Sequence, residues 1–174
     1  MINTEKKDAL SSMLLDGVNF EGEDVFRLSI GGSVENQLQT NKVFSEKWGK
    51  QDKNEDKEVA WKYQKRWYLE LYGFSCESEF AGFLQERDVI LDAGCGLGYK
   101  AAWFAELSPQ SVVIAMDYSS SVYLAANSYG HLENIIFVQG DIGSPIFKPE
   151  VIDYVSCDQV IMHYAYSGSR KNIR

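Results

Sequence analysis

Four acids, Asp92, Asp117, Asp141 and Asp158, each close a short apolar run, and the first opens the segment Asp92-Ala93-Gly94-Cys95-Gly96-Leu97-Gly98. Alternating glycines free a backbone for positive φ and let a ligand touch main-chain atoms. The helix-like stretch Tyr99 to Leu107 aims its unpaired N–H groups at that turn, favouring a carboxylate or phosphate there by about 0.3 to 1 kcal/mol. Asp117, at the tip of a neighbouring run, is placed to accept both hydroxyls of a ribose. Asp141 is placed to accept from an adenine amino group, with Ile142 against the ring. These residue types at this spacing make a nucleotide-type site.

The elements that position them follow from the apolar pattern. Val89 to Leu91 reads as a strand, followed by a tight turn and a helix whose inner face is Ala101, Ala102, Phe104, Ala105 and Leu107, ended by Pro109. Val112 to Met116 is a second strand, after which Ser119, Ser120 and Ser121 offer an N-cap for a helix through Val122 to Ala126. Ile135 to Val138 and Ile152 to Cys157 are the third and fourth runs. Successive strand–helix crossovers imply an α/β fold with a parallel sheet of about four strands and flanking helices. Strands two and three lie to one side of strand one and strand four to the other, so a crevice opens above Gly94 and Asp158.

Spacing narrows the choice of nucleotide. A dinucleotide fingerprint is G-x-G-x-x-G, whereas here the glycines run G-x-G-x-G and Tyr99 stands where the third would be. A Walker loop is excluded, since no G-K-[ST] follows. With its acid at the strand end, D-A-G-C-G-L-G resembles motif I of the class I S-adenosylmethionine (SAM) dependent methyltransferases, and the resemblance covers about Val89 to His163. It implies a Rossmann-like core in which the main chain of Asp92, Ala93, Gly94, Cys95, Gly96 and Gly98 holds the methionine end of the cofactor. It further implies that Asp117, with Tyr118 beside it, holds the ribose, that Asp141 and Ile142 contact adenine, and that Asp158 lines the methyl-transfer site.

Outside that region the chain is less explicit. Residues 1–53 read as an extension without assigned chemistry, containing a short helix around Leu10, Met13, Leu14 and Leu15, a turn at Gly31-Gly32 and loose amphipathic spacing from Val34 to Phe44; residues 54–174 hold the cofactor-binding core, with its motifs in 89–163. Val59, Tyr63, Trp67 and Leu71 recur every four residues ahead of Gly73, an amphipathic helix, and Glu77 to Arg87 forms another with Phe80, Phe83 and Leu84. Packing on the sheet is the plain role of these aromatics. In the family, helices ahead of motif I cover the cofactor as a lid, which makes Trp48, Tyr63 or Trp67 candidates to shield the sulfonium. After strand four the resemblance ends: the family's further helix, strand and antiparallel pair are expected to be missing. The chain then reads as truncated after strand four, with an open apolar edge suited to pairing with a second copy.

Composition bounds the rest. A net charge of -8 over 174 residues argues against a nucleic-acid partner, which needs a basic footprint. Cys76, Cys95 and Cys157 lack metal or disulfide spacing, no metal site is expected, and a reducing, cytoplasmic setting fits best. No apolar run approaches the roughly 18 residues of a membrane span. Cys95 reads as a small side chain tolerated beside the ligand in preference to a nucleophile. No catalytic base is assigned: Asp158 and His163 are candidates by position, Asp158 fits the cofactor better and His163 a structural role, while His131 reads as a solvated loop residue. The leading expectation is methyl transfer from SAM, leaving S-adenosylhomocysteine (SAH), to a small-molecule acceptor. Its alternatives are a non-catalytic SAM-binding module acting as an interaction subunit and, disfavoured by Tyr99, a nucleotide-dependent oxidoreductase.

Overall fold

Apolar runs at the centre of the chain become the centre of the sheet. The computed structural model describes residues 3–29 and 57–161. In chain order these form α1 (Asn3–Met13), β1 (Asn19–Glu21), β2 (Val25–Ser29), α2 (Lys57–Tyr72), α3 (Glu77–Gln85), β3 (Val89–Ala93), α4 (Tyr99–Leu107), β4 (Val112–Asp117), α5 (Ser121–Tyr129), β5 (Ile135–Gln139) and β6 (Tyr154–Ser156). Ile90, Val113, Ile114, Ala115, Met116, Ile135 and Ile136 are fully buried, as strands covered on both faces must be.

The sheet runs β1-β2-β5-β4-β3-β6, parallel except where β1 meets β2. β4 and β5 therefore lie to one side of β3 and β6 to the other, as expected, and the order reverses beside β3. Open sheets bind ligands at such a reversal, beyond the carboxyl ends of the strands. One face packs on α2 to α5 through Tyr68, Phe80, Leu84, Phe104, Val122 and Ala125. The other packs Leu10, Met13 and Leu14, from α1 and just beyond it, on Phe26, Ile114, Met116 and Ile136. Among the described residues no helix is long and apolar enough to cross a membrane.

Three expectations need correction. Among the described residues the sheet has six strands, not about four, because β1 and β2 join it beside β5. They escape a run-length reading because β1 has three residues, and β2 interrupts its apolar residues with exposed Arg27. Val25 packs into one core cluster and Phe26 and Leu28 into the other, which only a sheet covered on both sides permits. The fourth run is shortened to β6, because the Asp153 carboxylate accepts from the N–H groups of Asp88 (3.0 Å) and Val89 (2.8 Å), and Ile152 turns onto the second cluster. The serine cap of α5 is only partly made: Ser120, its N-cap, forms no side-chain capping bond, and the Ser119 hydroxyl, drawn to Asp117 at 2.7 Å, accepts the Ser121 N–H at a long 3.4 Å.

α2 ends at Gly73 as expected but presents a different face. Tyr63, Trp67 and Leu71 are 71%, 45% and 54% exposed, whereas Tyr68 is 3% exposed. Residues four apart advance about 40° beyond a full turn at each step, so the four-residue series winds away from the sheet, while Trp61 and Tyr68, seven apart, stay within about 20°. Tyr68 lies 5.5 Å from Phe80 and 5.7 Å from Trp103 between ring centroids, and Trp61 meets Trp103 edge-on at 5.9 Å. Such edge and tilted pairs add about 0.5 to 1.5 kcal/mol each beyond their burial.

If the β1–β2 hairpin is part of the core, Phe26→Ala, at a side chain 1% exposed, removes about 3 to 5 kcal/mol of stability. Urea denaturation followed through the tryptophan fluorescence checks this. A loss under about 1 kcal/mol would make the hairpin an appendage.

Candidate functional site

The turn after β3 is suspended from the end of β4. Gly94 N–H and Cys95 N–H both donate to the Met116 carbonyl, at 2.7 and 2.9 Å, and Gly96 N–H donates to Asp117 Oδ2 at 2.8 Å. Asp117 Oδ1 accepts from the Ser119 N–H at 2.8 Å and the Ser119 hydroxyl at 2.7 Å. Gly94, Gly96 and Gly98 take φ of 80°, 54° and 80°. Close packing adds a second demand at two of them. A Cβ on Gly94 would lie 2.2 Å from the Val160 side chain, and one on Gly98 would lie 2.7 Å from Ala125 Cβ on α5. Gly98 is therefore what lets α4 and α5 approach while serving as the N-cap of α4.

A buried charge group lies beside the turn. Asp92 is 0% exposed. Lys100 Nζ stands 3.1 Å from Asp92 Oδ1 and 2.7 Å from Asp158 Oδ2. Burial pushes the Asp92 carboxyl above its ordinary value, and Lys100 opposes the shift. Burial alone would lower the Lys100 ammonium, but Asp92 and Asp158 outweigh it and hold the lysine above its ordinary value. Tyr72 donates to Asp158 Oδ1, and that bond, with some burial, pushes the phenol up to about 12. Behind it, Tyr154 and Tyr68 share a hydrogen bond at 2.5 Å, Tyr68 donates to Ser156 Oγ at 3.1 Å, and Ser156 reaches Asp158 Oδ2 at 3.4 Å. Burial raises Tyr68 far above an ordinary phenol, so both tyrosines act as neutral hydrogen-bonding groups.

The acids and turn residues named from the sequence lie at one edge of the sheet. Asp92 and Ala93 end β3 and Gly94, Cys95, Gly96 and Gly98 follow it, Asp117 ends β4 and Tyr118 follows it, Asp141 and Ile142 follow β5, and Asp158 follows β6. The Gly140 N–H to Asp117 carbonyl bond, 3.0 Å, and the Gln139 amide to Tyr118 carbonyl bond, 3.4 Å, join the second and third groups. Asp141 Oδ1 accepts the Gly143 N–H at 2.9 Å, and Ile142 packs partly on the second core cluster. Cys95 is buried, and burial raises its thiol well above the ordinary value, which leaves too little thiolate for a nucleophile. His131 is exposed in a turn.

The lid candidates Tyr63 and Trp67 face solvent, as the phase of α2 dictates. Trp48 and His163 lie outside the described residues. The sequence reading overlooked Lys100 and Val160, each two residues beyond a predicted site residue, and Tyr68 and Tyr72, which approach the site from a distance along the chain. One signal was available: a lysine in the first turn of a helix opposes the helix dipole, and such a position calls for nearby acids.

Residues 90–173 match the family model described as a methyltransferase domain. Over that segment, just under half of the chain, the sequence is similar to a methyltransferase domain. No curated protein matches the chain. Among solved structures it is similar to the plantazolicin methyltransferase BpumL in complex with SAH, at 19% identity and TM-score 0.38, with 70% of this chain and 47% of that chain covered. It is similar also to a Staphylococcus aureus protein provisionally described as a caffeoyl-CoA O-methyltransferase, at 16% identity and TM-score 0.34, covering 63% and 52%. A third is the plantazolicin methyltransferase BamL in complex with a triazolic desmethylPZN analog and SAH, at 18% and 0.33, covering 61% and 40%. The chain thus spans about half the length of these structures or less.

The charge group gives the domain a pH signature. Lys100→Met strands the Asp92 carboxylate, and breaking such a buried pair costs about 3 to 5 kcal/mol. An acid whose folded pKa lies above its unfolded one contributes stability in full below the unfolded value and loses it as pH rises through the folded value. Asp92 is already shifted upward, and removing Lys100 shifts it further. Denaturant unfolding of Lys100→Met should therefore show stability falling, as pH rises above the ordinary carboxylate range, more steeply than in the parent chain. Parallel pH profiles would mean that Asp92 does not depend on this lysine.

Proposed function

We propose that the domain transfers a methyl group from SAM to a small-molecule acceptor, releasing SAH. What carries the reading is the joint between turn and acid: Asp117, at the end of β4, is bonded directly to the Gly96 N–H of the turn after β3. A ligand lying across the ends of β3 and β4 then meets main chain on one side and a carboxylate on the other. The match of residues 90–173 to a methyltransferase domain model supports the same reading.

The chain's own groups suit such a ligand. A carboxylate offers about four acceptor sites, and Asp117 uses three of them, on Gly96 N–H, Ser119 N–H and the Ser119 hydroxyl. It can take one ribose hydroxyl as it stands and a second by releasing the Ser119 hydroxyl, which has Ser121 Oγ 2.6 Å away as another partner. Asp92 Oδ2 is buried without a hydrogen-bond partner among the described residues, an acceptor suited to a donor on the methionine end. Asp141 and Ile142, beyond β5, suit the adenine, and Asp158, beyond β6, faces the transfer region.

When bound, SAM supplies a sulfonium-activated methyl carbon that an acceptor atom attacks in line. The protein's part is to fix the two reactants and exclude water, and such positioning is worth about 7 to 11 kcal/mol of barrier. Net acidity and three free cysteines, one of them exposed, suit a small acceptor and a reducing cytoplasm.

Asp117→Ala is expected to weaken SAM and SAH at least tenfold in titration calorimetry, about 1.4 kcal/mol. Unchanged affinity would remove Asp117 from the ribose site. Turnover against a panel of oxygen, nitrogen and carbon acceptors separates a catalytic domain from a binding module.

A further inference from the structure

Lys100 occupies a place that is unfavourable for it. It stands in the first turn of α4, where the helix dipole repels a cation, and its side chain is 15% exposed. Two acids hold it there, one fully buried and one with its side chain 13% exposed. Both acids lie at the carboxyl ends of parallel strands, Asp92 within β3 and Asp158 just past β6, and Asp92 keeps one buried oxygen without a hydrogen-bond partner among the described residues. Asp158 is engaged on both oxygens, by Lys100 on one and Tyr72 on the other. An ammonium group is therefore held between the acids on either side of the strand reversal.

We infer that Lys100 is a resident substitute for the amino group of an adenosyl amino acid, displaced when that ligand binds. The inference rests on the proposed adenosyl site and adds a residue that selects among its ligands. A ligand carrying an α-ammonium must exchange with Lys100 between Asp92 and Asp158. A ligand that ends at the thioether has no such exchange to make. Lys100 thus acts as a specificity-determining residue that weakens binding through the methionine end and leaves the adenosine end untouched.

Titration of the parent chain and Lys100→Met with SAH and with 5′-methylthioadenosine, which lacks the amino acid, tests this. Apparent affinity falls with the fraction of sites the lysine leaves open, so the variant should bind SAH more tightly, by about tenfold if one site in about ten is open in the parent, and 5′-methylthioadenosine unchanged. Unchanged or weaker SAH binding, with 5′-methylthioadenosine intact, overturns the exchange and leaves the adenosyl site standing. Failure of the parent to bind either compound overturns the adenosyl site and the exchange with it. The parent chain gives an independent readout should the variant fold poorly. Its Lys100 ammonium resonance in ¹⁵N-lysine-labelled protein, assigned by its loss in Lys100→Arg, should disappear at saturating SAH and persist with 5′-methylthioadenosine; persistence with both overturns the proposal.

Discussion

A single carbonyl organises the site. Met116 O receives two consecutive N–H groups from the turn after β3, and the next residue's carboxylate receives a third from Gly96. Three donors that a tight turn would otherwise leave unsatisfied are thereby fixed to the end of the adjacent strand. The register that pairs Ala93 with Met116 makes this possible, and five paired positions between β3 and β4 hold that register. Since both strands are buried on both faces, a one-residue slip would turn every side chain into the wrong core cluster. The core thus determines where the glycine turn hangs.

The second organising feature is electrostatic. Asp92, Lys100 and Asp158 bring two negative charges and one positive into a region with little solvent, and their cohesion depends on close geometry, since ions removed from water are costly. The cation comes from α4, the acids from β3 and the segment after β6, and the phenol on Asp158 from α2. Four parts of the chain meet there, so the charge balance couples the position of α2 to that of the strand ends. The aromatic cluster of Tyr68, Phe80, Trp103 and Phe104 fixes the other side of the same helix. Tyr68 serves both, with its ring in the cluster and its hydroxyl in the chain toward Asp158.

This arrangement keeps the polar groups of the turn and the packing groups distinct. Main chain and carboxylates lie at the strand ends, while the side chains that hold the helices lie below them. Gly94 and Gly98 mark the boundary: their missing side chains admit Val160 and Ala125 respectively, so the turn is constrained by packing as well as by any ligand. A fold of this kind can vary its acceptor chemistry in segments outside the turn without disturbing the turn itself.

What the sequence by itself determined was local: the glycine turn, the acids at strand ends, the three central strands and the helices between them. Each depends on residues within a few positions of one another, through periodicity, backbone freedom or capping. Tertiary structure decided the remainder. The half-polar hairpin of β1 and β2 is a strand pair only because β5 offers an edge and both faces are covered. The inward side of α2 is set by Tyr68 finding Tyr154 and Ser156, more than 80 residues away, against the local four-residue pattern. Lys100 looks misplaced in its own helix and is explained by Asp158, 58 positions on. Partners of this kind are brought together by folding, and no window of neighbouring residues contains them.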